Sequence, residues 1–517
     1  MNDDIKSIVI VGGGTAGWLS AGIIAAYLQK HHSKKINITL LESSDIPTVG
    51  VGEGTWPTMR RTLKDMGIRE TEFIKKCNVS FKQGAKFAKW VTGENDDYYY
   101  HPLELPTGMF ENNLATSWLN INNAQPPFAQ YVSAQQSICE SGLAPKQITT
   151  PEFSAIANYA YHLDAGLFAT FLKNHCIDNL NVKHIVGTVV GVNNCTNGDI
   201  KSVSLNNKIE IAGDLFIDCS GFKSLLLGEN LGVGFKSCKD VLFADSALAI
   251  HMPYKDDEPI CSHTLSTAQT SGWIWDIGLQ TRRGVGHVYA SNYISDDEAK
   301  QQLFDYLNIN QAQQSKYKVK KLTFEPGHRE KFWHKNCVAI GLSAGFLEPL
   351  EASALLLVEI SAKFVAEQFP YNECLMAITA ERFNRTFSYR WARIIDFLKL
   401  HYILSKRTDS PFWQAHCCTQ TIPQSLKDNL AIWTFHTPSD NHFDHSQEVF
   451  PAASYQYVLY GMGFLSSTEL HNNPDCYFKK AQALVNNNLR HTEQLLKKLP
   501  TNNALLEQIK QFGMQQI

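Results

Sequence analysis

A glycine-rich segment near the start of the chain has the spacing of a phosphate-binding loop. Its G-x-G-x-x-G pattern is made by Gly12, Gly14, Thr15, Ala16 and Gly17. Glycines at these positions let the backbone approach a pyrophosphate, and the N–H groups of a helix start supply positive potential. Glu42 follows where an acidic side chain can accept hydrogen bonds from a ribose. The pattern predicts a dinucleotide site, against the alternative of a glycine-rich turn without a ligand.

The elements around these glycines have the order strand, helix, strand. Residues 7–11 form a short apolar run, residues 18–28 are apolar and alanine-rich, and a second apolar run, 36–41, ends at Glu42. This order is typical of a β-α-β nucleotide-binding unit. The motif alone does not separate FAD from NAD. We expect FAD, because the chain has no second fingerprint for a nicotinamide cofactor and the segment 337–345 can bring a second helix start to the flavin ring.

Composition and charge exclude several classes of protein. The chain has 517 residues, 44% of them hydrophobic and 19% charged, with a net charge of −3 and no basic patch for nucleic acid. No apolar run reaches the roughly 20 residues that span a bilayer, and the start does not resemble a signal peptide. We therefore expect a cytoplasmic protein without a membrane or nucleic-acid partner. The 12 scattered cysteines contain no C-x-x-C pair, so neither a metal site nor a disulfide framework is expected.

Three further segments resemble signatures of the flavin-dependent tryptophan halogenase family. Residues 272–278, Gly-Trp-Ile-Trp-Asp-Ile-Gly, resemble its W-x-W-x-I-P signature. Phe-Lys-Gln-Gly at 81–84 resembles the segment with its essential lysine, and Gly-Phe-Leu-Glu-Pro-Leu-Glu at 345–351 resembles the segment with its essential glutamate. Shorter similarities occur in the family's order along nearly the whole chain, at 49–54, 100–102, 218–222, 401–402 and 411–413.

The resemblance implies an enzyme with two sites. Oxygen and halide react at reduced FAD to give hypohalous acid, which travels through the protein to Lys82. Lys82 receives it as a hydrogen-bonded species or as a haloamine, and the halogen then passes to an electron-rich aromatic. Glu351 orients the electrophile or accepts the proton that the arene loses. The N–H groups of Ser353 and Ala354, at a helix start, correspond to the halide-binding positions.

Other site residues and partners follow from the same resemblance. The implied FAD contacts, beyond the glycine loop and Glu42, are Gly50, Val189, Asp218, Leu342 and Leu355. The implied substrate pocket contains His101, Pro102 and Tyr455, and the implied barrier between substrate and flavin is Trp273 and Trp275. FADH2 would come from a separate NAD(P)H-dependent flavin reductase, the substrate would be an indole-like small molecule, and a homodimer stays open.

Each functional residue also has an ordinary structural explanation. A lysine beside Phe81 and Phe87 is often a surface residue whose stem covers apolar area; walled in by rings, its ammonium form would be disfavoured and a neutral amine easier to reach. Glu351 near a helix start gains stability from the helix dipole whatever else it does. Alternating tryptophans can simply pack one face of a sheet. The joint occurrence of the motifs favours the functional interpretation.

The sequence departs from the family pattern at three places. Gly278 stands where the signature has proline, residues 352–354 read Ala-Ser-Ala instead of Ser-Thr-Gly, and Leu103 follows His101-Pro102 where an aromatic is expected. The second change favours bromide over chloride. The third favours indole or a larger indole-like substrate over free tryptophan.

Two other functions compete with halogenation. A flavin-dependent aromatic monooxygenase would share the nucleotide site but would need no Lys82. A non-catalytic flavin-binding protein has no evident need for Lys82 together with Glu351. We therefore rank the halogenase first and the monooxygenase second.

The predicted fold class is α/β: a FAD-binding, Rossmann-like domain of the flavin monooxygenase type, with an inserted antiparallel sheet and a mostly helical C-terminal substrate region. We assign residues 1–350 to the FAD module, with insertions for the substrate region near 80–150 and 240–330. Residues 351–517 are assigned to the helical region that completes the pocket. The clearest predicted helices are 163–174, 354–369, 378–405 and 477–498.

Overall fold

The computed structural model describes residues 4–32, 34–45, 52–121, 125–467 and 474–516. The chain forms two compact units, each built from three segments. The first unit comprises Met1–Val79, Leu163–Cys238 and Glu325–Trp391, and the second comprises Ser80–His162, Lys239–Phe324 and Ala392–Ile517.

Strands and helices alternate in the first part of the chain, and helices dominate the end. The strands are β1 Ser7–Val11, β2 Asn37–Glu42, β3 Gly52–Gly54, β4 Ser80–Lys82, β5 Gly84–Ala88, β6 Tyr98–Pro102, β7 Ala160–Asp164, β8 Lys183–Val186, β9 Val189–Asn194, β10 Ile200–Leu205, β11 Glu210–Ala212, β12 Leu215–Asp218, β13 Phe235–Ser237, β14 Ser246–Met252, β15 Thr264–Gln269, β16 Gly272–Gly278, β17 Arg283–Tyr289, β18 Lys320–Thr323, β19 Gly327–Arg329, β20 Trp333–His334, β21 Cys337–Ala339 and β22 Gly345–Phe346. The helices are α1 Thr15–His31, α2 Thr58–Asp65, α3 Glu70–Lys76, α4 Leu114–Leu119, α5 Phe128–Val132, α6 Gln135–Glu140, α7 Ala165–Leu180, α8 Asp296–Tyr306, α9 Ser353–Glu367, α10 Glu373–Ile403, α11 Pro411–His416, α12 Gln424–Phe435, α13 Ala452–Gly461, α14 Pro474–Lys498 and α15 Asn502–Phe512.

A six-stranded sheet with the order β20-β21-β12-β1-β2-β8 forms the centre of the first unit. The strands from β21 to β8 are parallel, and β20 joins the edge antiparallel. Strands β1 and β12 are almost continuously apolar and buried, as expected when both faces of a parallel sheet are covered. Helix α1 packs against α7 and α9 beside this sheet.

A seven-stranded sheet with the order β18-β14-β17-β16-β15-β5-β6 forms the centre of the second unit. Its pairs are antiparallel except for the parallel contact between β15 and β5. Ile274 and Val285 on one face pack in a cluster with Leu303 and Phe304 of α8. Since side chains alternate along a strand, the neighbours of Ile274, Trp273 and Trp275, point to the other face.

The structure confirms the predicted fold class and the positions of the main elements. The parallel sheet, the antiparallel insertion and the helical C-terminal region are all present. The compact units follow other boundaries than the modules assigned from the sequence, because residues 351–391 belong to the first unit. The insertions near 80–150 and 240–330 fall mainly in the second unit. The functional division at residue 350 stays a prediction.

Several other features of the described residues bear on the expectations from composition. No described helix is both long and apolar enough to cross a membrane. Within the described ranges, no group of three or more His, Cys, Asp or Glu side chains could hold a metal ion. The cysteines are free thiols.

Helix α9 is fixed to α2 through a buried carboxyl group. Glu359 accepts hydrogen bonds from Thr62 Oγ1 at 2.6 Å and from Thr58 Oγ1 at 3.3 Å. Burial raises the pKa of Glu359 to about 8, against an ordinary value of 4.5. In the unfolded chain this group ionises at its ordinary pKa, so ionisation favours unfolding between the two values.

We expect Glu359→Gln to gain stability relative to the wild type as pH rises. Below the unfolded pKa both states of the wild type are protonated; as pH rises from about 4.5 to about 8, wild-type stability falls because the unfolded state alone ionises. The measurement is the unfolding temperature of both proteins at about pH 5 and about pH 8.

Glu367→Gln is the matched control, because Glu367 lies on the same helix and makes an exposed ion pair with Lys363. Its difference from the wild type should change little over the same interval. A Glu359→Gln difference that is the same at both pH values would contradict a raised pKa at Glu359.

Candidate functional site

The carboxyl ends of three parallel strands meet at one edge of the first unit's sheet. In register, Val11 of β1 lies beside Asp218 of β12 on one side and Leu41 of β2 on the other. The next residues are joined by backbone hydrogen bonds, from Gly12 N–H to Leu41 O at 2.9 Å and from Cys219 N–H to Val11 O at 2.8 Å. This edge is where α/β sheets bind their ligands.

The glycines of the loop have two different roles. A Cβ atom at Gly12 would lie 2.1 Å from Cys219 O, and one at Gly17 would lie 1.9 Å from Gly12 O. These two positions therefore require glycine for the backbone to close. A Cβ atom at Gly13 would meet the side chain of Glu42 at 2.2 Å. Gly14 differs, because a Cβ atom there would have no heavy atom within 4 Å.

The open space at Gly14 lies at the start of helix α1. Gly14 is the N-cap residue and makes no side-chain capping hydrogen bond. The first N–H groups of a helix have no acceptor within the helix. Thr15 uses its hydroxyl to donate to Ala165 O at 3.3 Å, so its side chain already has a structural partner. An open cradle beside helix N–H groups fits an anionic phosphate group.

Glu42 ends β2 at the same edge and already has two basic neighbours. Its Oε2 lies 2.9 Å from Lys173 Nζ and 2.8 Å from His184 Nε2. Burial, followed by the charge of Lys173, lowers the pKa of His184. Both contacts use Oε2, so Oε1 takes part in neither.

Asp218 holds the turn that follows β12. Its Oδ1 accepts from the N–H and the hydroxyl of Ser220, at 3.0 and 2.5 Å. Its Oδ2 accepts from Ser224 Oγ and from the N–H groups of Leu226 and Leu227. The carboxylate is fully buried, and these five donors replace the water it has lost. Its direct contact with FAD stays a prediction, and the structure gives it a positioning role.

Leu342 lies in a short helical turn, Gly341–Ser343, that is close to helices α1 and α9. A Cβ atom at Gly341, whose φ is +78°, would lie 2.7 Å from Ala16 Cβ in α1 and 3.7 Å from Val358 Cγ2 in α9. Ser343 Oγ donates to Asp218 O. The structure thus brings the turn that contains Leu342 close to the start of α1.

The start of helix α9 carries Glu351, Ser353 and Leu355, which are buried, and the half-buried Ala354. Its N-cap residue, Ala352, has φ +52° and makes no side-chain capping hydrogen bond. The chain before it is held by Trp56, whose indole N–H donates to Glu351 O at 2.9 Å. An uncapped helix start of this kind is suited to an anion.

Two remaining cofactor predictions have different outcomes. Val189 begins β9, two residues after Gly187, whose N–H donates to Glu42 O at 2.9 Å. Val189 therefore lies near the end of β2, in the region expected for the dinucleotide. Gly50 lies outside the described residues.

In the second unit, Lys82 ends the short strand β4 and is only 5% exposed. The strand pairs antiparallel with β7, so that Lys82 faces Ala160 and Phe81 faces Tyr161. Phe81 packs its ring edge-on against Tyr159, with centroids 5.2 Å apart. Since neighbouring side chains of a strand point to opposite faces, Phe81 does not flank the lysine as the sequence had suggested.

The residues after Lys82 join it to the predicted substrate pocket. Gly84 pairs with Pro102, and a Cβ atom at Gly84 would lie 2.9 Å from His101 O. Glycine is therefore needed for β6 to approach β5 this closely. Gln83 is buried and donates its side-chain N–H to Leu143 O at 2.7 Å. The segment with Lys82 and the segment with His101 and Pro102 thus lie side by side.

His101 and Tyr455 meet around one aromatic ring. His101 Nε2 lies 2.9 Å from Ser454 Oγ, and its ring centroid lies 5.7 Å from that of Phe397. Tyr455 contacts Phe397 edge-on at 4.9 Å. On its other side Phe397 stacks on Phe450 at 3.8 Å. These buried rings form one aromatic wall, and the substrate pocket that the resemblance implies at His101 and Tyr455 stays a prediction.

The two signature tryptophans are connected to this wall by further rings. Trp273 lies 6.4 Å from Trp275 and 6.5 Å from Trp90, between centroids. Trp90 contacts His401 at 6.1 Å, and His401 contacts Phe397 at 5.3 Å. The barrier role stays a prediction. The packing also agrees with the structural alternative, since both tryptophans are buried on a sheet face.

Gly278, which replaces the signature's proline, lies in a crowded place. A Cβ atom there would be 2.8 Å from the hydroxyl of Tyr254 and 3.2 Å from the N atom of Cys261. The Gly278 carbonyl accepts a hydrogen bond from Ser80 Oγ, at the start of the strand that carries Lys82. The departure from the family pattern therefore coincides with a contact between β16 and β4.

Sequence reasoning missed several residues of these sites. Lys173 and His184 at Glu42, and Trp56 at Glu351, carry no motif of their own and are distant in sequence. Phe397 lies within a long helix where an aromatic is ordinary. The steric requirement at Gly13 could have been predicted from the sequence, because a glycine stands there at a position where the glycine pattern allows any residue.

Comparison with known proteins gives a consistent result over almost the whole chain. The family model described as tryptophan halogenase matches residues 7–473. A tryptophan 6-halogenase of Streptomyces toxytricini is 33% identical, over 88% of this chain and 89% of its own.

Solved structures of two halogenases are similar to the structure of this chain over its full length. The crystal structure of a tryptophan halogenase from Shewanella frigidimarina has a TM-score of 0.96 and 47% identity, covering 100% of this chain and 99% of its own. A flavin-dependent halogenase from Xanthomonas campestris has a TM-score of 0.87 and 31% identity, covering 100% and 99%.

Proposed function

Because the chain belongs to the tryptophan halogenase family, we propose that it is a flavin-dependent halogenase that acts on an electron-rich aromatic, indole or an indole derivative. The observation that carries the proposal is the position of Lys82. It is buried on a strand whose next residues lie against His101 and Pro102, beside a wall of aromatic rings. A buried amine next to a site for a flat ring is suited to holding an electrophile near an arene.

The residues of the first unit fit FAD. The open space at Gly14, the start of α1 and the Oε1 atom of Glu42 offer groups for a pyrophosphate and a ribose. Leu342, close to the start of α1, and Leu355 on α9 are apolar groups suited to the flavin ring. Bound FAD, reduced by a separate flavin reductase, would supply the oxygen chemistry that oxidises halide to hypohalous acid.

The start of helix α9 would bind the halide. The N–H groups of Ser353 and Ala354 begin the helix, and the helix dipole favours an anion there. Ser353 stands where the family pattern has the larger threonine, which supports a preference for bromide, the larger halide.

Lys82 and Glu351 would share the work on the substrate. Lys82 would hold hypohalous acid by a hydrogen bond and direct its halogen to one carbon of the arene. Glu351 would orient the electrophile or accept the proton that the ring loses when it becomes aromatic again. Lys82 belongs to the second unit and Glu351 to the first, so their joint action rests on the family resemblance.

Indole is the substrate we favour over free tryptophan. His101, Tyr455 and Phe397 provide ring contacts. Leu103 follows His101-Pro102 where the family pattern has an aromatic, which supports a pocket for indole or a larger indole-like molecule. The Streptomyces toxytricini relative is named for action on tryptophan, so free tryptophan is a necessary second substrate in the assay.

We expect Gly14→Ala to weaken FAD binding without destabilising the protein. The new Cβ atom meets nothing in the protein but enters the space assigned to the pyrophosphate. The dissociation constant for FAD, measured by quenching of flavin fluorescence, should rise at least about tenfold, or ~1.4 kcal/mol.

The control for this experiment is Gly166→Ala, at the first turn of α7, where a Cβ atom would lie 3.4 Å from Asp164 Oδ1. This helix start is not assigned to FAD, so its variant should bind FAD as the wild type does. Equal affinity in Gly14→Ala and the wild type would place the pyrophosphate elsewhere.

We expect the wild type to convert indole to bromoindole and Lys82→Ala to lose this activity by at least about 100-fold, or ~2.7 kcal/mol. The reaction contains FAD, a flavin reductase with NADH, air and bromide, and the product is read by mass spectrometry from bromine's paired isotope pattern. Lys300→Ala, on the exposed side of α8, is the control and should keep full activity.

Three results would count against parts of the proposal. Hydroxyindole without halogen would identify a monooxygenase. Bromoindole from Lys82→Ala at the wild-type rate would remove the assigned role of Lys82. Bromination of tryptophan but not of indole would overturn the substrate preference.

A further inference from the structure

A buried histidine, His162, lies on the same face of the sheet as Lys82. Strands β4 and β7 pair so that Ser80 faces His162 and Lys82 faces Ala160. Directly opposed residues, and residues two apart on one strand, share a face. His162 is therefore the diagonal neighbour of Lys82, at a spacing of roughly 7–8 Å that long side chains can bridge. The small side chain of Ala160 leaves room between them.

The environment of His162 isolates it from water. Its side chain is 0% exposed. The opposite face of the same strand pair is filled by Phe81 and Tyr161, which pack with Tyr159. Lys82 lies on the face of this strand pair that carries His162.

One of the two ring nitrogens of His162 is used by the fold, and the other is not. Nε2 lies 2.8 Å from Thr264 Oγ1 at the start of β15. Nδ1 is buried and has no hydrogen-bond partner among the residues that the structure describes. A buried nitrogen without a partner costs about 1–3 kcal/mol, and a water held between it and a neighbouring donor would remove this cost.

The charges near His162 favour its neutral form. Burial, followed by the charges of Lys82 and His263, holds the pKa of His162 well below its ordinary value. Burial and the charge of Lys86 likewise lower the pKa of His263, to about 4. Both imidazoles are neutral near pH 7. When Nε2 carries the proton and donates it to Thr264 Oγ1, Nδ1 is a hydrogen-bond acceptor.

We propose that His162 is a positioning residue for Lys82, with one bridging water that accepts a hydrogen bond from the lysine Nζ and donates one to Nδ1. The lysine would then be held in one orientation relative to the oxidant and the substrate. Thr264 would fix the imidazole for this purpose. The inference rests on the proposed function for its catalytic meaning, whereas the contact itself does not depend on halogenation.

Two amide substitutions separate the two nitrogens. Asn at position 162 places a polar atom close to the place of Nδ1 and loses the contact with Thr264, whereas Gln places one close to Nε2 and loses Nδ1. If His162 merely ties β7 to β15, His162→Gln is the milder change; if it positions Lys82, His162→Asn is the milder change. Thr264→Val, which removes the partner of Nε2, is the third variant.

The first measurement determines how much of the hypobromous acid brominates indole and how much is released into solution. Each variant is supplied with FADH2, air, bromide and indole, and bromoindole is compared with free hypobromous acid trapped by a scavenger. We expect His162→Gln to lower the ratio of bromoindole to trapped acid about tenfold at unchanged flavin oxidation, and His162→Asn to stay within about threefold of the wild type. Loss of this ratio in His162→Asn with retention in His162→Gln would overturn the proposal.

The second measurement needs no flavin and no halide. Modification of Lys82 by a small amine-reactive reagent is quantified against pH by peptide mass spectrometry, in the wild type and in the variants. We expect the pH midpoint for Lys82 to move in His162→Gln and to stay near the wild-type midpoint in His162→Asn. Equal midpoints in all variants would overturn the positioning role. If the wild type made no bromoindole while the midpoint moved as expected, the contact would stand and the proposed function would fail.

Discussion

The first unit depends on the buried carboxylate of Asp218. Burying an ionised carboxylate is costly unless hydrogen bonds replace its hydration, and five donors from the following turn do so. The backbone carbonyl of the same residue accepts from Ile340 N–H and from Ser343 Oγ. One residue thus fixes the end of β12, the turn after it and the turn that carries Leu342. The glycine loop closes onto this arrangement through Gly12 and Cys219.

The second unit positions its functional groups by strand register. Lys82 and His162 are placed by one antiparallel pair, and His101 is placed by the next pair through the close approach at Gly84. A shift of one residue in either pair would turn these side chains to the opposite face. In the pair of β5 and β6, the buried rings of Phe397 and Trp90 resist such a shift, because Phe397 packs against His101 and Trp90 packs against Phe87.

The sequence predicted the elements well where local signals were strong. Residues 7–42 form the expected β-α-β unit because apolar runs and glycines are adjacent in the chain. The helix predicted at 163–174 begins at Ala165, since Asp164 caps it by accepting from Gly166 and Leu167 N–H groups, and it continues to Leu180. The neighbours of Glu42, the register that brings His162 beside Lys82, and the wall around Phe397 all join distant segments. No local sequence pattern encodes contacts between distant segments, so these contacts could not be predicted from the sequence.

Gly278 limits how easily this chain could take up the proline of the signature that residues 272–278 resemble. The space that a larger residue would fill is taken by the hydroxyl of Tyr254, which is itself held by a hydrogen bond to Leu279 O at 2.8 Å. Proline at this position would meet that hydroxyl and the backbone N atom of Cys261, so accommodating it would require both Tyr254 and the segment around Cys261 to move.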